Sequence, residues 1–321
     1  MGSKFDRIAL YFLEYNALED IMKAVTKITL TDDNGIKFFG EGPCRLLRCV
    51  EKTGSLRAAA MEMEMAYSKA SKILKQAEEN LGFLLTTRST GGKDGGGSIL
   101  TPEGRQLLCQ YEAYRDACVK ANLALYRQYF PKIGCVIMAS GLGKRFGGNK
   151  LMADFHGKPM IQRALDATDG LFAKRVIITR HESVASLCRE QNLDVVLHDF
   201  PYRNDTVRLG LEALGDLDAC MFLPGDQPLL RRETVANLLQ NWAEHPNCMI
   251  RPIHEDTEGS PVLFPAWTFP ELKNLPEGKG GNIVIKNHPH DSICVSISDP
   301  FELADVDTPD TLELLKGLYH D

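Results

Sequence analysis

The chain of 321 residues predicts an α+β domain followed by a three-layer α/β domain with a mostly parallel sheet. Three observations carry this prediction. The first part mixes short helical patterns with two turn-rich hairpins, one around Asp32-Asp33-Asn34-Gly35 and one around the glycine-rich run Gly91 to Ser98. The second part alternates short apolar runs with helical patterns, the arrangement of repeated βα units. Between them a long helical pattern stops at Phe130-Pro131, because the residue before a proline is driven out of the helical region. The domains are therefore expected at 1–130 and 131–321, and no internal repeat is evident.

Composition narrows the function classes. The net charge of −6 is unevenly divided: residues 1–130 carry 18 Lys+Arg against 16 Asp+Glu, and the remainder 19 against 27. The first domain is only mildly basic, so charge alone does not announce nucleic acid. The nine cysteines lack paired spacing, which argues against a zinc or disulfide framework and makes a reducing cytoplasm the expected home. No apolar run approaches the roughly 18 residues of a membrane span, so no membrane partner is expected.

In chain order, residues 17–28 are predicted as a helix and Ile28 to Phe39 as a hairpin. From Pro43 the pattern is helical, with Leu46, Leu47 and Val50 on one face and Lys52-Thr53-Gly54 as the stop. Ser55 can cap a helix from Leu56 to Met61, whose Ala58-Ala59-Ala60 admits a close neighbour. After a turn at Glu62 to Met65, a helix from Tyr67 to about Asn80 turns Ala70, Ile73, Leu74 and Ala77 inward. Two short helices with small residues at their crossing, the second polar and basic, make a helix-turn-helix. Ser55, Arg57, Tyr67, Ser68, Lys69, Ser71 and Lys72 are the expected contacts to base edges and phosphates. Arg88 opens a wing of two strands whose glycine loop carries Lys93 toward phosphate. From Pro102 to about Tyr129, Leu107, Tyr111, Tyr114, Cys118, Ala121 and Leu125 alternate at spacings of four and three. That seam either joins two copies into a homodimer, as a two-fold DNA site requires, or packs on its own domain.

The order of helix-turn-helix, Leu81-Gly82-Phe83-Leu84-Leu85, Arg88, wing, Leu100-Thr101 and long helix resembles the winged helix of LysR-type regulators. The wing Thr90-Gly91-Gly92-Lys93 followed by Gly95-Gly96-Gly97 resembles more narrowly the DNA-binding half of molybdate-responsive transcription regulators. Together these resemblances cover about residues 17–127 and imply DNA as a partner.

The second domain is organised around Ile133 to Lys150. A buried-strand run, Ile133 to Ala139, breaks into a loop bearing Gly141, Gly143, Gly147 and Gly148, with Lys144, Arg145 and Lys150 around it. Glycines let the main chain approach an anion and offer it N–H groups, so this reads as a polyphosphate cradle. It is not a Walker A loop, since Asn149-Lys150-Leu151 stands where Gly-Lys-Ser/Thr would, and the dinucleotide fingerprint fails at Phe146. Strands are further predicted at Arg175 to Thr179, Asp194 to Leu197 and Ala219 to Leu223. Helices are predicted at Glu182 to Gln191, Asn204 to Leu214 and Arg231 to Trp242. Asp226 follows the strand Cys220 to Leu223 at its carboxyl end, the rim where open α/β sheets bind ligands. A carboxylate facing a triphosphate there is a natural Mg²⁺ ligand.

Gly141-Leu142-Gly143-Lys144-Arg145-Phe146-Gly147 with Lys150 resembles the G-x-[GS]-x-R-[MF]-G-x-x-K signature of the nucleotidyltransferases of molybdenum-cofactor maturation and their sugar-nucleotide relatives. Gly157-Lys158-Pro159, Gly225-Asp226-Gln227-Pro228, Gly259-Ser260-Pro261-Val262 and Asp305-Val306-Asp307-Thr308-Pro309 extend the resemblance over about residues 131–321. It implies a Rossmann-like three-layer enzyme, Mg²⁺ held by Asp226 and Asp307, and catalysis by Arg145, Lys150 and Asp226. The nucleotide is expected at Ala139, Ser140, Gly141, Leu142, Gly143, Lys144, Arg145, Lys150, Asn204 and Asp226. Ala139-Ser140-Gly141 and Gly225-Asp226-Gln227-Pro228 resemble the cytidylyl branch more than the guanylyl one, which implies CTP and a molybdopterin-type cofactor as substrates and a molybdoenzyme as downstream acceptor. Ser140 departs from the usual Ala-Ala-Gly. Gly259 to Val262 and Gly278 to Gly281 are expected on the pterin side.

The expected reaction is nucleotidyl transfer, and it needs no general base, because a phosphate monoester with a second pKa near 6 is already ionised at neutral pH. Two alternatives stay open: transfer from GTP or to another phosphate acceptor, and a transcription regulator whose transferase-like half only senses nucleotide or cofactor. His156, His181, His198, His254, His288 and His290 show no metal spacing and are expected on the surface or in loops.

Overall fold

A computed structural model describes residues 23–89 and 97–319. The wing tip and Lys93 lie outside the described residues, as do residues 17–22 of the first predicted helix. The chain forms two compact units, one from Lys23 to Tyr126 and one that takes over at Arg127.

In the first unit, residues 23–28 are not helical, which corrects the predicted helix over 17–28. Val25, Thr26 and Ile28 are β-branched and favour extended backbone. Tertiary bonds hold them there: Asn122 donates to Thr26 Oγ1 at 2.7 Å and Tyr111 Oη to the Ile28 carbonyl at 2.9 Å. The hairpin β1 (Thr29–Thr31) and β2 (Lys37–Gly40) turns on Asp32, whose carboxylate accepts from the N–H groups of Asn34 and Ile36. Then come α1 (Glu41–Thr53), α2 (Leu56–Glu62) and α3 (Tyr67–Leu81). The wing strands β3 (Thr86–Ser89) and β4 (Gly97–Leu100) lead to α4 (Pro102–Tyr129). Leu46, Leu47, Val50, Ala59, Ala70, Leu74, Leu85 and Leu108 form one buried cluster. Gly104 of α4 sits where a Cβ would lie 2.3 Å from the Leu85 carbonyl, so only glycine lets the long helix lie against the root of the wing. The predicted seam divides. Leu107 and Tyr111 pack into this core, while Tyr114 and Leu125 are 55% and 53% exposed.

The second unit is an eight-stranded sheet with helices on both faces. Its elements in order are β5 (Ile133–Ala139), the small hairpin β6 (Asp154–Phe155) and β7 (Lys158–Pro159), α5 (Ile161–Thr168), β8 (Lys174–Thr179) and α6 (Glu182–Glu190). They continue with β9 (Asp194–Leu197), α7 (Arg203–Leu214), β10 (Ala219–Pro224), α8 (Arg232–Glu244), β11 (Met249–His254), β12 (Thr257–Glu258) and β13 (Val262–Pro265). The short helices α9 (Phe269–Lys273) and α10 (Asn282–Asn287), then β14 (Ser292–Ser296) and α11 (Pro309–Leu318), complete it. The sheet order is β12-β11-β13-β10-β5-β8-β9, with β14 beside β11. Strands β10, β5, β8 and β9 run parallel, β14 runs parallel to β11, and β13 is antiparallel to both β10 and β11.

Alternation along β5 feeds two cores. Cys135 and Ile137 meet α5, α8 and α11 on one face, and Val136 meets Val207, Leu211 and Leu214 of α7 on the other. Gly210 of α7 allows that helix to close on Val136, whose Cγ2 would lie 2.5 Å from any Cβ there. From β5 the chain moves outward to β8 and β9, then returns by α7 to β10 on the opposite side of β5. The crevice beyond β5 and β10 is thus the topological switch point, where an open α/β sheet leaves room for a ligand. Among the described residues no helix is long and apolar enough to cross a membrane.

Candidate functional site

A cavity of 560 Å³ opens at that switch point, within the range of small-molecule sites. Ser140, Gly141 and Leu142 after β5 form one wall, and Pro224, Asp226, Gln227 and Asp305 another. The loop keeps its shape through Gly143. Its φ is +60°, its carbonyl accepts from the N–H groups of Phe146 and Gly147 at 3.0 Å, and a Cβ would fall 2.0 Å from the Gly148 carbonyl. This turn carries Gly143, Lys144 and Arg145 out of the cavity wall, and Ala139 stays buried at the strand end.

Behind the wall, four of the predicted residues, Arg145, Lys150, Asp226 and Asp307, converge. Lys150 Nζ lies 2.6 Å from Asp226 and 3.1 Å from Asp307, and Arg145 lies 2.8 Å from the other Asp307 oxygen. Burial disfavours the Lys150 ammonium, but the charges and hydrogen bonds of Asp226 and Asp307 outweigh it and hold its pKa above the ordinary value. Asp305 is shifted up by burial and then by the Asp226 charge, while Gln227 donates to it at 3.0 Å. Asp307 is free for this role because Thr308, not Asp307, caps α11 by accepting from Thr311 N. The N-terminus of α8 is served by buried Glu302, which accepts from Arg231 N and Thr234 Oγ1, so Asp226 is not needed as a cap.

Among the described residues no three His, Cys, Asp or Glu side chains are grouped to hold a metal. Magnesium does not require three, since it takes one or two carboxylates and completes its shell with phosphate oxygens and water. Asp226 and Asp307 already share one cation, the Lys150 ammonium, so the pair fits a small bridging ion.

Asn204 is placed differently from expectation. As the second residue of α7 it accepts from Gly278 N at 3.0 Å, while Arg203 and Thr206, one helical step apart, face the cavity. His198 is a half-buried loop residue beside the cavity wall, within the surface or loop reading. Its Nε2 is 2.8 Å from Ser140 Oγ, and its buried Nδ1 has no partner among the described residues. Burial, then Arg180, lowers its pKa from 6.5. The folded chain therefore takes up this proton less readily than the unfolded one, and this contribution is intact above pH 6.5 and is lost as pH falls below it. Thermal melting from pH 7.5 down to 5 is expected to fall less steeply in His198→Gln than in wild type; equal slopes would overturn this assignment.

Residues the sequence reading passed over include Arg203, Arg251, Phe200 and Tyr202. Arg251 had a signal, a charge inside the apolar run Met249 to Ile253.

In the first unit, Tyr67, Ser68, Lys69 and Lys72 are exposed on α3, and Ser71 is half-buried. The helix has no acidic residue in its first turn and no side-chain cap at Ala66. The Arg57 guanidinium lies 5.8 Å from the centre of the Tyr67 ring. Ser55 is occupied as a cap, accepting from Ala58 N at 3.4 Å, and Arg88 is exposed on β3.

A helix-turn-helix with a wing, and a doubly wound sheet whose glycine loop faces paired aspartates, define a DNA-binding-type unit and a nucleotidyltransferase-type unit in one chain. The families bear this out. Residues 135–292 match the MobA-like NTP transferase domain, and residues 44–105 match the bacterial regulatory helix-turn-helix proteins of the lysR family; the chain carries a domain of each. A probable molybdenum cofactor guanylyltransferase of Aquifex aeolicus is 31% identical over 111 residues, 34% of this chain and 54% of that protein. The molybdenum-pterin-binding protein MopB of Rhodobacter capsulatus is 36% identical over 75 residues, 23% of this chain and 28% of that protein. The chain thus spans about half the length or less of these relatives. The crystal structure of Rv0371c from Mycobacterium tuberculosis, 21% identical, superposes with a TM-score of 0.52 over 58% of this chain and 98% of that one, a likeness of fold.

Proposed function

We propose that the second unit transfers a cytidylyl group from CTP to the phosphate monoester of a molybdopterin-type cofactor with Mg²⁺, and that the first unit binds DNA as part of a cytoplasmic homodimer. The observation that carries the enzymatic reading is the cavity joining the glycine loop to Asp226, backed by Lys150 between Asp226 and Asp307. The Aquifex relative is named a guanylyltransferase, which makes GTP the competing donor.

An acceptor phosphate oxygen forms a bond to the α-phosphorus as the bond to the bridging oxygen breaks, and pyrophosphate leaves with that electron pair. The N–H groups of the glycine loop orient the donor's phosphates, and Arg145 and Lys150 offset charge as it moves to the leaving group. Mg²⁺ at Asp226 and Asp307 would neutralise phosphate oxygens on both sides of the transfer. Asp305, whose pKa is raised by burial and then by the Asp226 charge, is held in the cavity wall by Gln227.

Purified chain incubated with Mg²⁺, the phosphorylated pterin and each nucleoside triphosphate in turn should release pyrophosphate with CTP. Release with GTP alone would reassign the base, and release with none would favour the sensor reading. For the first unit, Lys69→Ala with Lys72→Ala should weaken DNA binding about tenfold and reduce the salt slope by about 2, one for each lost phosphate contact. A double variant with wild-type affinity and slope would remove α3 from the DNA interface.

A further inference from the structure

The transfer needs a second anion, the acceptor phosphate, brought up to the donor beside Asp226. Lys150 and Arg145 are committed to the Asp226–Asp307 side and are not in the cavity wall. The cations in that wall are Arg203 and Arg251.

Arg251 lies in β11 and is only 7% exposed. A guanidinium carries five N–H donors. One Nη donates to Glu258 at 2.6 Å and the other to the Gly259 carbonyl at 3.3 Å, while Nε is buried without a partner among the described residues. Its position is tied to the reacting end. Gly259 packs so closely on Leu303 that a Cβ would lie 2.7 Å away, the Leu303 carbonyl accepts from Gln227 at 3.2 Å, and Gln227 follows Asp226. Arg203 is its complement: exposed at the start of α7, with no carboxylate within ion-pairing distance among the described residues. It lies across Gly280, where a Cβ would sit 3.2 Å from its Nε, so the glycine leaves its guanidinium room. It also lines a narrow 80 Å³ extension whose wall includes Phe222, Phe264 and Gly281.

A buried arginine with spare donors and an exposed one without an ion pair among the described residues, in the wall of one cavity, suit a phosphate monoester with an apolar ring system attached. We infer that Arg203 and Arg251 bind the acceptor's phosphate and thereby set acceptor specificity, an inference that rests on reading the cavity as a nucleotidyl-transfer site.

The test uses the full chain with CTP and Mg²⁺ present, titrated with the phosphorylated pterin and with its dephosphorylated form while the pterin's own fluorescence is followed. Wild type should prefer the phosphorylated probe by about tenfold or more, in line with charge-assisted hydrogen bonds. Arg203→Gln, an exposed change that spares the core, should lose most of that preference, Arg251→Gln should lose it as well, and both should bind CTP as wild type does. Wild-type preference in both variants, or a wild-type chain indifferent to the phosphate, would overturn the inference. A chain that discriminates through these arginines but releases no pyrophosphate supports the inference and refutes the transfer. A chain that releases pyrophosphate with an unchanged KM for acceptor in both variants refutes the inference and leaves the transfer standing.

Discussion

Asp226→Asn is expected to lower pyrophosphate release by about 10²- to 10³-fold, the effect of weakening the hold on a Mg²⁺ that would offset charge on the reacting phosphates. The replacement keeps the shape of the side chain, and the backbone bond from Val306 N to the Asp226 carbonyl at 2.9 Å is untouched, so the β10 rim should hold. Lys150 loses its 2.6 Å partner but retains Asp307. The loss should therefore fall on kcat, with circular dichroism and melting close to wild type. A variant turning over at the wild-type rate would remove Asp226 from the chemistry and with it the proposed metal site.

Gly143→Ala should act at a different step. The added methyl meets the Gly148 carbonyl at 2.0 Å and sits on a backbone with φ of +60°, which alone costs an L-residue about 1–2 kcal/mol. The loop must open to relieve the overlap, and the two bonds into the Gly143 carbonyl go with it. Nucleotide affinity measured by titration calorimetry is expected to fall tenfold or more, while melting of the remaining fold changes little because the loop is exposed. Unchanged affinity would show that the glycine turn is not what grips the donor.

How much of this was legible in the sequence depends on the range of the interactions. The loop after β5 declared itself because glycine backbone and flanking charge are local properties. The α2–α3 pair declared itself for the same reason, with Ser55 as cap and Ala59 and Ala70 at the buried crossing. The 17–28 prediction failed over residues 23–28 because bonds from Tyr111 and Asn122, more than eighty residues away in sequence, hold extended backbone. Arg203, Arg251 and His198 were not seen as site residues for a related reason. They arrive by sheet order, since inserting antiparallel β13 between β10 and β11 brings a distant arginine to the rim, and no local pattern encodes that neighbour.

The ammonium between Asp226 and Asp307 has a consequence for how the reaction cycle is timed. Lys150 serves those carboxylates as a tethered counter-ion. On the proposed reading, a metal–nucleotide complex loading at Asp226 and Asp307 would displace this ammonium and leave Lys150 available to the phosphates. Loading would then exchange one positive group for another, and the same lysine would return to its aspartates once product leaves.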